Sequence, residues 1–87
     1  MLEIRNKISR KLNIPEDVLE GLPVVTITGK REAYVENYKG IIEYEENCIK
    51  IQTKICRLTF TGKNLEISYY TNVDMKISGE LESIRYS

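Results

Sequence analysis

The stretch Cys56-Arg57-Leu58-Thr59-Phe60-Thr61-Gly62-Lys63-Asn64-Leu65-Glu66-Ile67-Ser68-Tyr69 decides how this chain is read. Cys56, Leu58 and Phe60 alternate with polar neighbours, and Leu65, Ile67 and Tyr69 do so again after a break at Gly62 to Asn64. A period of two is the mark of a strand with one buried face. Glycine at the break reaches φ > 0 without a Cβ clash and so suits a tight bend. The segment Thr59-Phe60-Thr61-Gly62-Lys63 has two echoes, Thr26-Ile27-Thr28-Gly29-Lys30 and Lys76-Ile77-Ser78-Gly79-Glu80. Each is an apolar residue between polar flanks, closed by glycine and then a charge. The repeat predicts a β scaffold and says nothing of chemistry.

Outward from that stretch the same period holds in Val25 and Ile27, Ile42 and Tyr44, Ile49 and Ile51, and Val73, Met75 and Ile77. Bends fall at residues 37–40, 45–47, 53–54 and 71–72. The last segment loses phase, and a bulge near Glu82-Ser83 would bring Leu81, Ile84 and Tyr86 to one side. The expected fold is all-β, mainly an antiparallel meander curled into a barrel- or sandwich-like sheet. The alternative is a short β-solenoid with a glycine at each corner. Before the sheet, Ile4, Ile8 and Leu12 recur every fourth residue, as on one face of a helix. Pro15, Glu16 and Asp17 followed by Gly21 predict a short helix at about 15–20. The chain therefore divides into a basic amphipathic lead-in, 1–13, and a single β domain, 14–87.

Eighty-seven residues with 41% hydrophobic and 30% charged composition make one globular domain. Thirteen cations balance thirteen acids, so bulk charge recruits neither nucleic acid nor anionic lipid. The balance hides an asymmetry. Residues 1–13 carry Arg5, Lys7, Arg10 and Lys11 against Glu3, leaving nine cations and twelve acids for the rest. No apolar run approaches the length of a membrane span or a signal peptide, so a cytoplasmic location with reduced cysteines is expected.

The chain has no histidine. That removes the usual general base, the commonest metal ligand and every nucleophile–imidazole pair. Cys48 and Cys56 have no second pair to complete a zinc site, and Cys56 is read as apolar filler beside Leu58 and Phe60. Glu43 and Glu45 share a strand face opposite Ile42 and Tyr44, which suits a solvated outer face. Gly29-Lys30 and Gly62-Lys63 lack phosphate-loop spacing. Six tyrosines and Phe60 are expected to pack in the core or across strands. The expectation is a non-enzyme without cofactor, metal or small-molecule substrate.

Surfaces remain as candidates. Ile4, Ile8 and Leu12, with Arg5, Lys7, Arg10 and Lys11, would suit an anionic membrane surface or a membrane partner at about 1 kcal/mol per cation at best. Val73, Met75 and Ile77, together with Leu22 to Val25, are read as outer strands whose unpaired backbone invites assembly. The rival of another class is a nucleic-acid-binding barrel working through Tyr38-Lys39 and Arg85-Tyr86, against which the acidic β region argues.

In order along the chain, Leu12-Asn13-Ile14-Pro15-Glu16-Asp17-Val18, Leu22-Pro23 with Ile27-Thr28-Gly29, and Val35-Glu36-Asn37-Tyr38-Lys39-Gly40-Ile41-Ile42-Glu43-Tyr44 resemble the YabP/YqfC sporulation proteins, most of all the YqfC branch. Ile49 to Thr53, Thr61 to Ile67 and Ile77 to Tyr86 continue the likeness. The resemblance implies a small mother-cell protein needed for spore development, acting beside a membrane partner. With the outer strands, the expectation is a small scaffold or interaction module that assembles with itself or that partner, cytoplasmic and peripheral at the forespore outer membrane. The resemblance brings no catalytic residues.

Overall fold

The computed structural model describes residues 21–87. The lead-in 1–13 and the helix expected at 15–20 lie outside the described residues. Six strands follow: β1 (Val24–Thr28), β2 (Glu32–Glu36), β3 (Tyr38–Glu45), β4 (Cys48–Thr53), β5 (Arg57–Tyr70) and β6 (Asp74–Tyr86). They form one antiparallel sheet in the order β1-β2-β6-β5-β4-β3. The all-β expectation holds. The sheet is open, because β1 and β3 end it without pairing to each other. A solenoid is excluded by the antiparallel neighbour pairing.

The centre of the fold is the long β5–β6 hairpin. β2 pairs with β6 only over Asp74–Ser78, and β4 pairs with β5 only over Arg57–Thr61. The hairpin therefore belongs to two half-sheets. Wing A holds β1, β2 and the hairpin's turn end; wing B holds β3, β4 and its open end. Between them the ribbon bends. Three register shifts crowd this region, at Thr61/Gly62, Lys63/Glu66 and Ile67/Tyr69, and each extra residue adds local bend and twist. The first falls opposite Glu82, as the phase break in the sequence predicts. Asn64 takes the left-handed conformation at φ 54° and Gly79 sits at φ 133°.

Both glycines of the bend are there for space. A Cβ on Gly62 would lie 2.0 Å from the Glu80 carbonyl oxygen, and one on Gly79 would lie 2.6 Å from that of Asn64. Two strands can cross this closely only where neither has a side chain. The break read at Gly62 to Asn64 is thus a fold within one strand, not a turn between two.

The bend lets both wings bury one cluster. Ala33, Val35, Met75 and Ile77 come from wing A; Ile49, Ile51, Leu58 and Phe60 come from wing B; all eight are at 0% exposure. Tyr38 joins them at the corner where one residue, Asn37, links β2 to β3. Asn37 takes φ 65°, and its side-chain amide donates to the Leu22 carbonyl at 2.8 Å. The Tyr38 hydroxyl donates to the Thr71 carbonyl at 2.5 Å.

This arrangement corrects the assembly strand. Val73 stands exposed in the β5–β6 turn, while Met75 and Ile77 lie in β6, bonded to β2 on one side and β5 on the other. A strand between two neighbours has no backbone left to offer. The expectation for Leu22 to Val25 fares differently, since β1 is an outer strand.

Candidate interaction surface

Backbone groups left open by the bend are the first features to account for. Where β5 runs past the end of β4, the β3–β4 turn supplies acceptors: Gly62 N–H donates to Asn47 at 3.2 Å and Leu65 N–H to Glu46 at 2.7 Å. One turn further, Ile67 N–H donates to the Tyr44 hydroxyl at 2.9 Å. Where β6 passes the end of β2, the β1–β2 turn does the same, with Gly79 N–H to Arg31 at 3.1 Å and Leu81 N–H to Lys30 at 2.7 Å. Each hairpin tip caps one long strand at the bend. The outer sides of β1 and β3 have no strand beside them among the described residues.

The two margins differ. β1 is Val24-Val25-Thr26-Ile27-Thr28, five β-branched residues without a charge, paired to β2 in unbroken register. Val24 and Ile27 are 46% and 43% exposed. β3 has register shifts at Lys39 and at Ile42 and carries Lys39, Glu43 and Glu45. Ile42 takes the bulge and points away from the core at 48% exposure, while Glu43 stands opposite Lys50 on the outer face. Bulges and charges are the usual protection of a sheet edge, and β1 has neither.

The titratable groups that depart from their ordinary values lie apart. Burial pushes the Tyr38 hydroxyl up, helped by Tyr70 and Asp74. Burial also raises the Cys48 thiol, with the Glu43 carboxylate beside it acting in the same direction. The Glu32 carboxylate raises Lys76, whose ammonium it meets at 2.7 Å and which also lies 5.6 Å from the centre of the Tyr34 ring. The first is at the corner, the second on the outer face of wing B and the third on that of wing A. They do not converge. Among the described residues no three Cys, Asp or Glu gather as for a metal. No buried side-chain nitrogen or oxygen there lacks a hydrogen-bond partner.

The tyrosines divide between the two expected places, the core and cross-strand positions, with most on the surface. Only Tyr38 is buried, whereas Tyr44, Tyr69, Tyr70 and Tyr86 are 45–73% exposed. They sit on an edge strand or at hairpin ends, where a strand outruns its cover. The stacking pair Tyr38-Lys39 is lost to a nucleic-acid reading, because the Tyr38 ring is packed and its hydroxyl committed. On wing A the exposed ring of Tyr69 stands in a row with Tyr34 and Lys76, near Glu36 and Asp74, which would repel a phosphate backbone. Cys56 packs half-buried against the core cluster, as read, but from the turn just before β5 and not from the strand; its N–H donates to Thr53 Oγ1 at 3.0 Å.

The described residues thus form an open, bent all-β sheet in which β1 is an outer strand without charge or bulge. The chain belongs to the YabP family, whose model matches residues 22–87. It is also 30% identical over 79 residues to the uncharacterized protein YqfC of Bacillus subtilis (strain 168), covering 91% of this chain and 85% of that one. No solved structure matches.

Proposed function

We propose that this chain is a non-enzymatic interaction module of spore development, working through its surfaces with itself or with a membrane partner in the mother cell. One observation carries the reading: β1 is uncharged, unbulged and unpaired on its outer side among the described residues. A row of free N–H and C=O groups flanked by β-branched side chains accepts an added strand. Membership of a family resembling sporulation proteins supplies the setting. The lead-in residues Ile4, Arg5, Lys7, Ile8, Arg10, Lys11 and Leu12 would bring the module to an anionic membrane surface or to the partner. Among the described residues no helix is long and apolar enough to cross a membrane.

The test is made in the organism of origin. Ile27→Lys sets a charge on the open edge without touching the fully buried cluster. Heat-resistant spores should fall towards the count of a gene deletion while immunoblots show normal protein levels. Wild-type sporulation by Ile27→Lys would remove the edge from the function. Deleting residues 1–13 should release a fluorescent fusion from the forespore boundary, and unchanged localisation would remove the lead-in.

A further inference from the structure

Resting on that reading, we infer that β1 pairs with β1 of a second copy, antiparallel about a two-fold axis at Thr26, so that one sheet runs through both chains. The register follows from the faces. Val25 and Ile27 lie on the core side, in register with Val35 and Ala33; Val24, Thr26 and Thr28 lie on the outer side, in register with Glu36, Tyr34 and Glu32. Residues directly opposite in an antiparallel pair share a face. An axis at Thr26 pairs all five residues and keeps both cores on one side. It sets Val25 against Ile27 twice, Thr26 against Thr26 and Val24 against Thr28. A shift of two residues keeps only three pairs, and a shift of one turns each apolar residue to the wrong face.

Charge selects the second β1 over other strands of this protein. The seam holds none. The acids of β2 nearest to it, Glu32 and Glu36, come to stand three strand spacings apart across the pair, about 14 Å, beyond the screening length of roughly 8 Å at physiological salt. A β3 strand laid antiparallel on β1 would instead bring its own charges, Lys39, Glu43 and Glu45, to the seam. Pro23 and Gly29, which would face each other just outside the five pairs, bound the seam. A seam of about 17 Å buries less than the roughly 1,200 Å² of a stable interface. The dimer is therefore weak, with a dissociation constant on the order of 10–1,000 μM, and it forms where the protein is concentrated.

Sedimentation velocity of the full chain with Cys48→Ser and Cys56→Ser, over roughly a hundredfold range of concentration, should show the mean mass rise from monomer towards dimer. Adding Ile27→Lys, or Val24→Glu as a second variant, should hold it at monomer with an unchanged far-UV circular dichroism spectrum. In the same cysteine-free background Thr26→Cys should oxidise to a disulfide dimer. Thr28→Cys alone should not, yet Thr28→Cys mixed with Val24→Cys should. A monomer throughout overturns the inference, as do a dimer lost on Ile42→Lys but kept on Ile27→Lys, and coupling of Thr28→Cys to itself as fast as Thr26→Cys. A dimer seen only after deletion of residues 1–20 would name the chain's own lead-in as the occupant and also overturn it. If Ile27→Lys blocks sporulation while the wild-type chain stays monomeric, the self-pairing fails and the interaction module stands.

Discussion

β1 crosses its margin of the sheet in five uncharged β-branched residues with unbroken register; β3 crosses the opposite margin in eight, with two bulges and the charges Lys39, Glu43 and Glu45. Both are outer strands of the same sheet, so both present the same hazard of uncontrolled pairing. Only β3 is built against it. Its bulges break the spacing that an incoming strand must match, and its charges must be desolvated before contact. Under the proposed function, disarming one edge and leaving the other regular would give a single, directed docking line. Two open edges would let copies add without limit.

Both margins depend on the bend, so the bend is where the contrast breaks most completely. Gly79→Ala puts a side chain at φ 133° against the Asn64 backbone, and Gly62→Val drives one into Glu80. Each should cost roughly 3–5 kcal/mol by strain and overpacking, which urea unfolding will read. A loss under about 1 kcal/mol would mean that the wings do not need the crossing. Exchanging the character of the edges comes next. The triple change Lys39→Thr, Glu43→Thr and Glu45→Thr should convert β3 into a second adhesive margin, and light scattering should then show species larger than any two-copy complex. Scattering identical to wild type would show that the bulges alone protect β3.

A smaller effect isolates the cap on β5. Tyr44→Phe removes the acceptor for Ile67 N–H and should cost about 1 kcal/mol, leaving the association at β1 unchanged. The smallest effect is a pH dependence. The Cys48 thiol is raised above its ordinary value of 9.0 in the fold, so the native state holds that proton more tightly than the unfolded chain. Its contribution is present in full below about pH 9 and is lost as pH rises through the raised value. Wild-type stability should accordingly fall more steeply than that of Cys48→Ser above that pH, while the two curves run parallel at neutrality. Parallel curves throughout would sever Cys48 from the alkaline loss.

The sequence discloses period and faces but not neighbours. Alternation located β4 and both halves of β5 and β6, and the phase break at Glu82-Ser83 located a bulge, because side-chain direction is a local property of the strand. Strand order depends on where the chain bends, and that is decided by a backbone crossing between Gly62 and Gly79, which lie 17 positions apart in the chain. From sequence alone, the three glycine motifs looked alike. One turns out to be a hairpin turn at Gly29, and two are the facing sides of one bend. For the same reason Val73, Met75 and Ile77 read as a margin: their period shows an apolar face and gives no sign that β2 and β5 flank it. β1 did leave a signal, in a β-branched run without charge beside Pro23. The disarming of β3 left none, since Lys39 and Ile42 become bulges only in register with β4.

Amide hydrogen exchange, followed residue by residue at two protein concentrations, tests the central contrast most directly. At low concentration the outward amides of both margins should exchange quickly; at high concentration those of Val24–Thr28 should slow while those of Tyr38–Glu45 stay as they were. Protection that arises on β3 instead, or on neither strand, would contradict the claim that one edge is open for pairing and the other is closed.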